Sequence, residues 1–153
     1  MNGYADTSFL ASLYLPDANS PLAAGVMKRA RFPILLTPLG EVELTNALYL
    51  RVFRRELAAR QVHAAQAMFR GDVAEGIFEL KPLSSGVFEK AILLSRKQTP
   101  RLGTRALGVL HVAAALLHQA DTFLTFDRNQ GRLAEDEGLR VLPARGATRT
   151  ESD

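Results

Sequence analysis

Two aspartates in this 153-residue chain stand where a short apolar segment gives way to a helix-forming one. Asp6 lies between the residues GYA and the run TSFLASLY, and Asp127 follows the apolar run TFLTF. Carboxylates at the carboxyl ends of parallel strands face the crevice in which open α/β sheets bind ligands. Aspartate is also a good helix N-cap, and Gln130 would complete a capping box with Asp127. Capping and chemistry both remain open, and one acid can do both.

Glu43 is a third carboxylate in an unusual position. The helix expected to begin at Pro38 places Leu39, Ala47 and Leu50 at helical spacing from Glu43, which puts the acid inside an apolar stripe. An unpaired charge is costly to bury, so Glu43 needs a partner, a metal ion or a solvent-filled cleft. An ion pair with an arginine is the structural alternative to a functional role.

Composition narrows the chemistry that these acids can do. The chain has no cysteine, which removes disulfides, thiolate metal sites and cysteine nucleophiles. Carboxylates without a histidine cluster favour Mg²⁺ or Mn²⁺ over zinc, and Mg²⁺ is the usual partner of phosphate substrates. There is no P-loop and no GxGxxG motif, so no nucleotide cofactor is expected.

Charge and hydropathy add weaker constraints. The net charge of +3 modestly favours a polyanionic partner. The first residues lack a basic leader followed by an apolar run, and no window approaches a membrane span, so we expect a cytoplasmic protein with no membrane partner. Several basic residues are candidates for phosphate contacts: Arg51, Arg54, Arg55, Arg105 and Arg128.

The elements that must position the acids alternate between short apolar runs and amphipathic segments. Strands are expected at residues 4–5, 34–36, 77–80, 122–126 and 139–142. Helices are expected at residues 6–15, 20–31, 38–55, 58–70 and 84–97, then from an N-cap at Thr104, and again after Asp127. This alternation predicts an α/β fold with a mainly parallel sheet covered on both faces. If their strands are neighbours, Asp6 and Asp127 come together, and Glu43 projects into the crevice from its helix.

Gly108 is a glycine inside the helix expected after Thr104. A glycine there costs roughly 1 kcal/mol relative to alanine, and no turn is needed at this point. Close packing against another element is one explanation. His111 lies one turn later on the same face, where packing or a structural pairing is favoured over a role as a metal ligand.

Four segments of the chain together resemble the PIN domain family, specifically the VapC-type toxins of bacterial toxin–antitoxin pairs. They are YADTS from Tyr4, ELTNAL from Glu43, GTRALGVLHVAAAL from Gly103, and TFLTFDRNQ from Thr122, which LAEDEGL follows. No single segment is specific, but their order and spacing extend over almost the whole chain. The resemblance implies a three-layer α/β/α, Rossmann-like sandwich, which we expect over residues 1–143. Residues 144–153 are expected from their position at the end of the chain to form a flexible tail.

The resemblance also implies an activity and a set of partners. VapC-type toxins are usually homodimers that cut RNA with Mg²⁺ or Mn²⁺ at a cluster of acids, and a cognate antitoxin blocks the site. Asp6, Glu43 and Asp127 match the first, second and last acids of the family as metal-binding catalytic residues. Gly108 stands where the family has an aspartate, so the resemblance favours a lost ligand over a packing glycine. The sequence thus predicts a ribonuclease toxin, or alternatively an impaired PIN domain that binds antitoxin or RNA without efficient cleavage.

Overall fold

Five short parallel strands form the central sheet of the computed structural model, which describes residues 1–144 and 146. The strands are β1 (Gly3–Ala5), β2 (Ile34–Leu36), β3 (Phe78–Leu80), β4 (Thr122–Leu124) and β5 (Arg140–Leu142). Their order across the sheet is β3-β2-β1-β4-β5, and every neighbouring pair is parallel. The strands that precede Asp6 and Asp127 are therefore neighbours, which meets the condition for the two acids to come together.

Seven helices flank the sheet within the described residues. They are α1 (Thr7–Tyr14), α2 (Ser20–Arg29), α3 (Pro38–Phe53), α4 (Ala59–Ala74), α5 (Ser85–Leu102), α6 (Ala106–Leu117) and α7 (Arg128–Asp136). None of the helices in the described part of the chain is long and apolar enough to span a membrane.

The sheet has a separate hydrophobic core on each face. Successive strand residues point to opposite faces, so Tyr4 joins the core under α5, α6 and α7 while Ala5 joins the core under α1 to α4. Phe123 and Leu124 divide between the two cores in the same way. Burial on both faces explains why the central strands β1, β2 and β4 are mostly apolar, and the helices on both faces confirm the predicted α/β/α architecture.

Two helices are longer than the sequence predicts. α4 continues through Gly71 to Ala74, and α5 continues through Pro100 to Leu102. The expected break at Gly71 and the expected polar connection from Thr99 to Gly103 were therefore wrong. A glycine or proline near a helix end is tolerated when later residues pack, and Leu102 packs against the core under α5 to α7.

The beginning of α6 also differs from the prediction. Gly103 has a left-handed backbone with φ of +65° and ends α5, and Arg105 is the N-cap residue of α6. The predicted cap, Thr104, instead forms a hydroxyl–hydroxyl hydrogen bond of 2.8 Å with Thr99. The division of the chain into residues 1–143 and a tail remains a prediction, because residues 145 and 147–153 lie outside the described part.

Candidate active site

Asp6 lies at the carboxyl end of β1 and is completely buried. Its Oδ1 accepts hydrogen bonds from the Phe9 backbone N–H at 3.0 Å and from the Ser8 hydroxyl at 2.6 Å. Its Oδ2 accepts a hydrogen bond from the Thr125 hydroxyl at 2.5 Å. Both carboxyl oxygens are thus engaged by protein donors, and Asp6 is the N-cap of α1. Burial raises the pKa of Asp6, and the donated hydrogen bonds oppose that rise.

Thr125 connects Asp6 with Asp127. Its Oγ1 donates to Asp6 and accepts a hydrogen bond of 2.9 Å from the Asp127 backbone N–H. Ser8 makes a parallel link, since its hydroxyl accepts from the Phe126 N–H at 2.9 Å. The hydroxyls of Ser8 and Thr125 thus tie the end of β4 to the start of α1.

Asp127 is the exposed N-cap residue of α7. Its Oδ1 accepts from the backbone N–H groups of Asn129 at 2.8 Å and Gln130 at 3.0 Å. Capping by Asp127 is therefore confirmed. The reciprocal half of a capping box is absent, because the Asp127 N–H goes to Thr125 and the buried Oε1 of Gln130 has no hydrogen-bond partner among the described residues.

Glu43 finds its partner in a histidine rather than an arginine. The Nε2 of His111 lies 2.5 Å from Glu43 Oε1, and its Nδ1 lies 2.8 Å from the Tyr4 hydroxyl. His111 is only 1% exposed, whereas the Glu43 side chain is 24% exposed. The hydroxyl of Tyr4 is also 3.3 Å from Thr37 Oγ1, and burial raises the pKa of Tyr4, which keeps the phenol protonated. The prediction that His111 pairs structurally is confirmed.

The buried face of α3 is turned relative to the one predicted. Gly40, Leu44 and Leu48 are its buried residues, whereas Leu50, expected in the apolar stripe, is 38% exposed. Glu43 therefore lies at the edge of the buried face. There the carboxylate can reach both the buried imidazole and the solvent.

A cavity of about 460 Å³ lies next to this pair, between α3, α6 and α7. Glu43 and Asp127 both line it, together with Thr104, Arg105, Leu107, Gly108, Asn129, Gln130 and Leu133. Two carboxylates and one guanidinium are thus its charged groups. Asp6 does not line the cavity, but Thr125 links it by hydrogen bonds to Asp127, which does.

The chemistry of these side chains suits a hard cation, because Glu43 and Asp127 offer carboxylate oxygens to one cavity. The arrangement brings together only two of the three predicted acids. Within the described residues, no three aspartate, glutamate, histidine or cysteine side chains gather closely enough to hold a metal ion. The assignment of Asp6, Glu43 and Asp127 as metal ligands remains a prediction.

Comparison with known proteins identifies the family. The PIN domain model matches residues 4–136. This chain belongs to the PIN domain family. Members of this family are generally nucleases, and its nucleases typically use divalent metal ions. No curated protein sequence matches the chain.

Solved PIN-like structures share the fold at low sequence identity. The chain is similar to Mycobacterium tuberculosis VapC20, a toxin that cleaves the sarcin–ricin loop, with a TM-score of 0.68, 16% identity, and coverage of 90% of this PIN chain and 97% of that one. FitAcB from Neisseria gonorrhoeae has a TM-score of 0.64 and 16% identity, and the match covers 90% of this chain and 94% of the FitAcB chain. VapBC2 from Rickettsia felis, bound to a DNA fragment from its promoter, gives 0.63 at 15% identity, covering 92% and 97%.

Two features of this PIN domain site were not predicted from the sequence. The sequence indicates only a strand position for Tyr4, although its hydroxyl forms a hydrogen bond with His111. Gln130 was read only as a capping residue, although its side chain packs against Gly108. Gly108 is the signal for this contact in the sequence, but identifying Gln130 as its neighbour requires knowing how α6 and α7 pack.

Proposed function

We propose that this PIN domain is a ribonuclease toxin of a toxin–antitoxin pair, which hydrolyses RNA phosphodiesters with the help of Mg²⁺ or Mn²⁺. The observation that carries the proposal is the cavity lined by Glu43 and Asp127, with Asp6 joined to its edge through Thr125. Family membership and the fold shared with VapC20 support it.

Different residues of the chain would have different roles at such a site. Glu43 and Asp127 would hold the metal ion, which would activate a water and stabilise the leaving oxygen. His111 fixes the carboxylate of Glu43, and the Asp6–Thr125 pair fixes the loop that carries Asp127. Arg105 lines the same cavity and offers a positive charge to a phosphate.

A cognate antitoxin and a second copy of the chain are the proposed protein partners. Several similar structures are toxin–antitoxin complexes, including one from Klebsiella pneumoniae, which supports an antitoxin partner. The homodimer is supported by exposed apolar side chains on α3, where Val42 is 65% and Phe53 is 83% exposed. Side chains this apolar and exposed commonly mark protein interfaces.

A second candidate function is binding of antitoxin or RNA without efficient cleavage. The observation that favours it is Gly108, which lines the cavity without the carboxylate that the resemblance implies at this position. With fewer acids, a metal ion would bind more weakly and would hold an attacking water less well.

Incubation of the purified protein with RNA decides between these functions. We expect cleavage with Mn²⁺ and none with EDTA. Asp127→Asn should lower the rate more than about 100-fold, because it removes a metal-binding charge while an asparagine keeps the helix cap. The control Asp136→Asn, which alters an acid of α7 paired with Arg101, should cleave like the parent.

Other outcomes separate the alternatives. Cleavage that survives EDTA or Asp127→Asn unchanged would contradict the assigned site. RNA binding with no cleavage at any metal concentration would support the impaired PIN domain.

A further inference from the structure

Gly108 and Gln130 are in direct contact across the α6–α7 interface. A Cβ atom placed on Gly108 would lie 2.8 Å from Cγ, 3.2 Å from Cδ and 3.5 Å from Nε2 of Gln130. The first distance is shorter than any that carbon atoms tolerate without movement. The side chain of Gln130 therefore occupies the space that any larger residue at position 108 would need.

The backbone does not explain the glycine. Gly108 is a buried residue inside α6 and has ordinary helical geometry. Gly71 makes a useful comparison, because it lies inside α4 and a Cβ atom there would meet nothing within 4 Å. Both glycines lie inside helices, but Gly71 is exposed with open space around it, whereas Gly108 is buried against Gln130.

The position of Gln130 leaves one of its polar side-chain atoms without a hydrogen bond among the described residues. Its backbone N–H donates to Asp127 Oδ1 at 3.0 Å, and its side chain contacts Gly108 across the interface. Its Oε1 is buried with no hydrogen-bond partner among the described residues, and such an unsatisfied group is destabilising. The contact with Gly108 is therefore not explained by hydrogen bonding of the amide.

We propose that Gln130 is a positioning residue whose side chain occupies the space that a side chain at position 108 would need. With glutamine at position 130, the residue at position 108 is therefore best a glycine. The cavity then has a neutral amide where an acid at position 108 would add a third carboxylate. A carboxylate at 108 requires the Gln130 side chain to move. Restoring the acid therefore completes the site best when position 130 is made smaller at the same time. This catalytic consequence rests on the proposed function, whereas the contact itself does not.

A double-mutant cycle with alanine tests the contact without metal or RNA. Alanine is favoured over glycine inside a helix by roughly 1 kcal/mol, which corresponds to about 2–4 °C in Tm for a chain of this size. In the Gln130→Ala background, Gly108→Ala should raise Tm by that amount. In the parent, the same substitution should leave Tm unchanged or lower it, because Gln130 must move.

Gly71→Ala is the matched control and should raise Tm equally in both backgrounds. An equal rise from Gly108→Ala in the two backgrounds would overturn the proposal. So would failure of Gly108→Ala to fold in both, since Gln130 would not then be the obstacle. Failure to fold only when Gln130 is present would support it.

Titration with Mn²⁺ alone tests the consequence for the site. Gly108→Asp combined with Gln130→Ala should bind Mn²⁺ about tenfold or more tightly than Gln130→Ala. Gly108→Asp in the presence of Gln130 should gain clearly less. An equal gain in both backgrounds would contradict a positioning role for Gln130. If the stability cycle shows coupling and no variant binds Mn²⁺, the proposed metal site fails and the Gly108–Gln130 contact stands.

Discussion

Asp127 has two separable roles at the residue scale. Its Oδ1 caps α7, and its side chain lines the cavity with Glu43. Asp127→Ala should lower Tm by about 2–4 °C, since loss of an N-cap costs about 1 kcal/mol. Asp127→Asn should keep most of that stability, because asparagine is an equally good cap. Thermal denaturation of the two variants measures the cap apart from any activity, and an equal loss in both would show that charge rather than capping stabilises α7.

His111 contacts Glu43 and Tyr4 and does not itself line the cavity. Replacement by phenylalanine keeps an aromatic ring but leaves Glu43 and the Tyr4 hydroxyl without their shared partner. We expect Mn²⁺ affinity and cleavage rate to fall about 10- to 100-fold, as for other groups that orient a ligand, with KM for RNA unchanged. His118→Asn alters the C-cap residue of the same helix, whose side chain forms a hydrogen bond with the Pro82 carbonyl. This variant should change neither the Mn²⁺ affinity nor the cleavage rate. A similar loss in both variants would point to α6 stability instead of positioning.

At the scale of elements, strand and helix order followed from the sequence, but helix ends and faces did not. The runs that became β1, β2 and β4 were recognisable because they are short, apolar and buried on both sides. α5 passes Pro100 because its last turn packs on the core, which no local pattern reveals. Glu43 was identified for the right reason, an acid beside a buried face, although that face was assigned to the wrong residues.

Asp121 ties the amino ends of β1 and β4 together. Its Oδ1 accepts from the Thr122 hydroxyl at 2.6 Å and from the Asn2 backbone N–H at 2.9 Å. The Thr122 hydrogen bond lowers the pKa of Asp121 from its ordinary value of 3.8, slight burial opposes this, and Asn2 adds to the lowering. A lowered pKa in the folded state contributes stability at pH values above the ordinary pKa, and that stability is lost as pH falls through the folded value.

Asp121→Ala should therefore be less stable than the parent at neutral pH, by about 2–4 °C in Tm for a loss of about 1 kcal/mol. The difference should shrink as the pH falls below 3.8, since the parent carboxylate is then being protonated. Thermal denaturation across this range measures it. A difference that is constant with pH would show that the charge of Asp121 does not contribute.

For the whole molecule, the fold and the neighbourhood of the acids could be predicted, but their exact environment could not. Adjacent parallel strands guarantee that Asp6 and Asp127 lie near each other. Whether a carboxylate faces a cavity or is enclosed by donors depends on side chains from several elements, as Ser8 and Thr125 show for Asp6. The contact of Gly108 with Gln130 depends in the same way on the α6–α7 interface.

The proposed homodimer is also a property of the whole molecule. Phe53 is 83% exposed at the end of α3, so Phe53→Asp should shift the protein from dimer to monomer in light-scattering measurements if this face is the interface. Met68 is 62% exposed on α4, and Met68→Asp should leave the dimer intact. A parent that is monomeric at high concentration would contradict the dimer, and a Phe53→Asp variant that stays dimeric would exclude α3 as the interface.

The rate of RNA cleavage by two neighbouring glutamate variants tests most directly whether the cavity is the active site. Glu43→Gln changes the acid that lines the cavity and contacts His111, whereas Glu41→Gln changes an acid on the same helix that pairs with Arg70 outside it. With Mn²⁺ present, we expect Glu43→Gln to lose more than about 100-fold in rate and Glu41→Gln to match the parent. Equal rates for the parent and Glu43→Gln would contradict the assignment of the cavity as the active site.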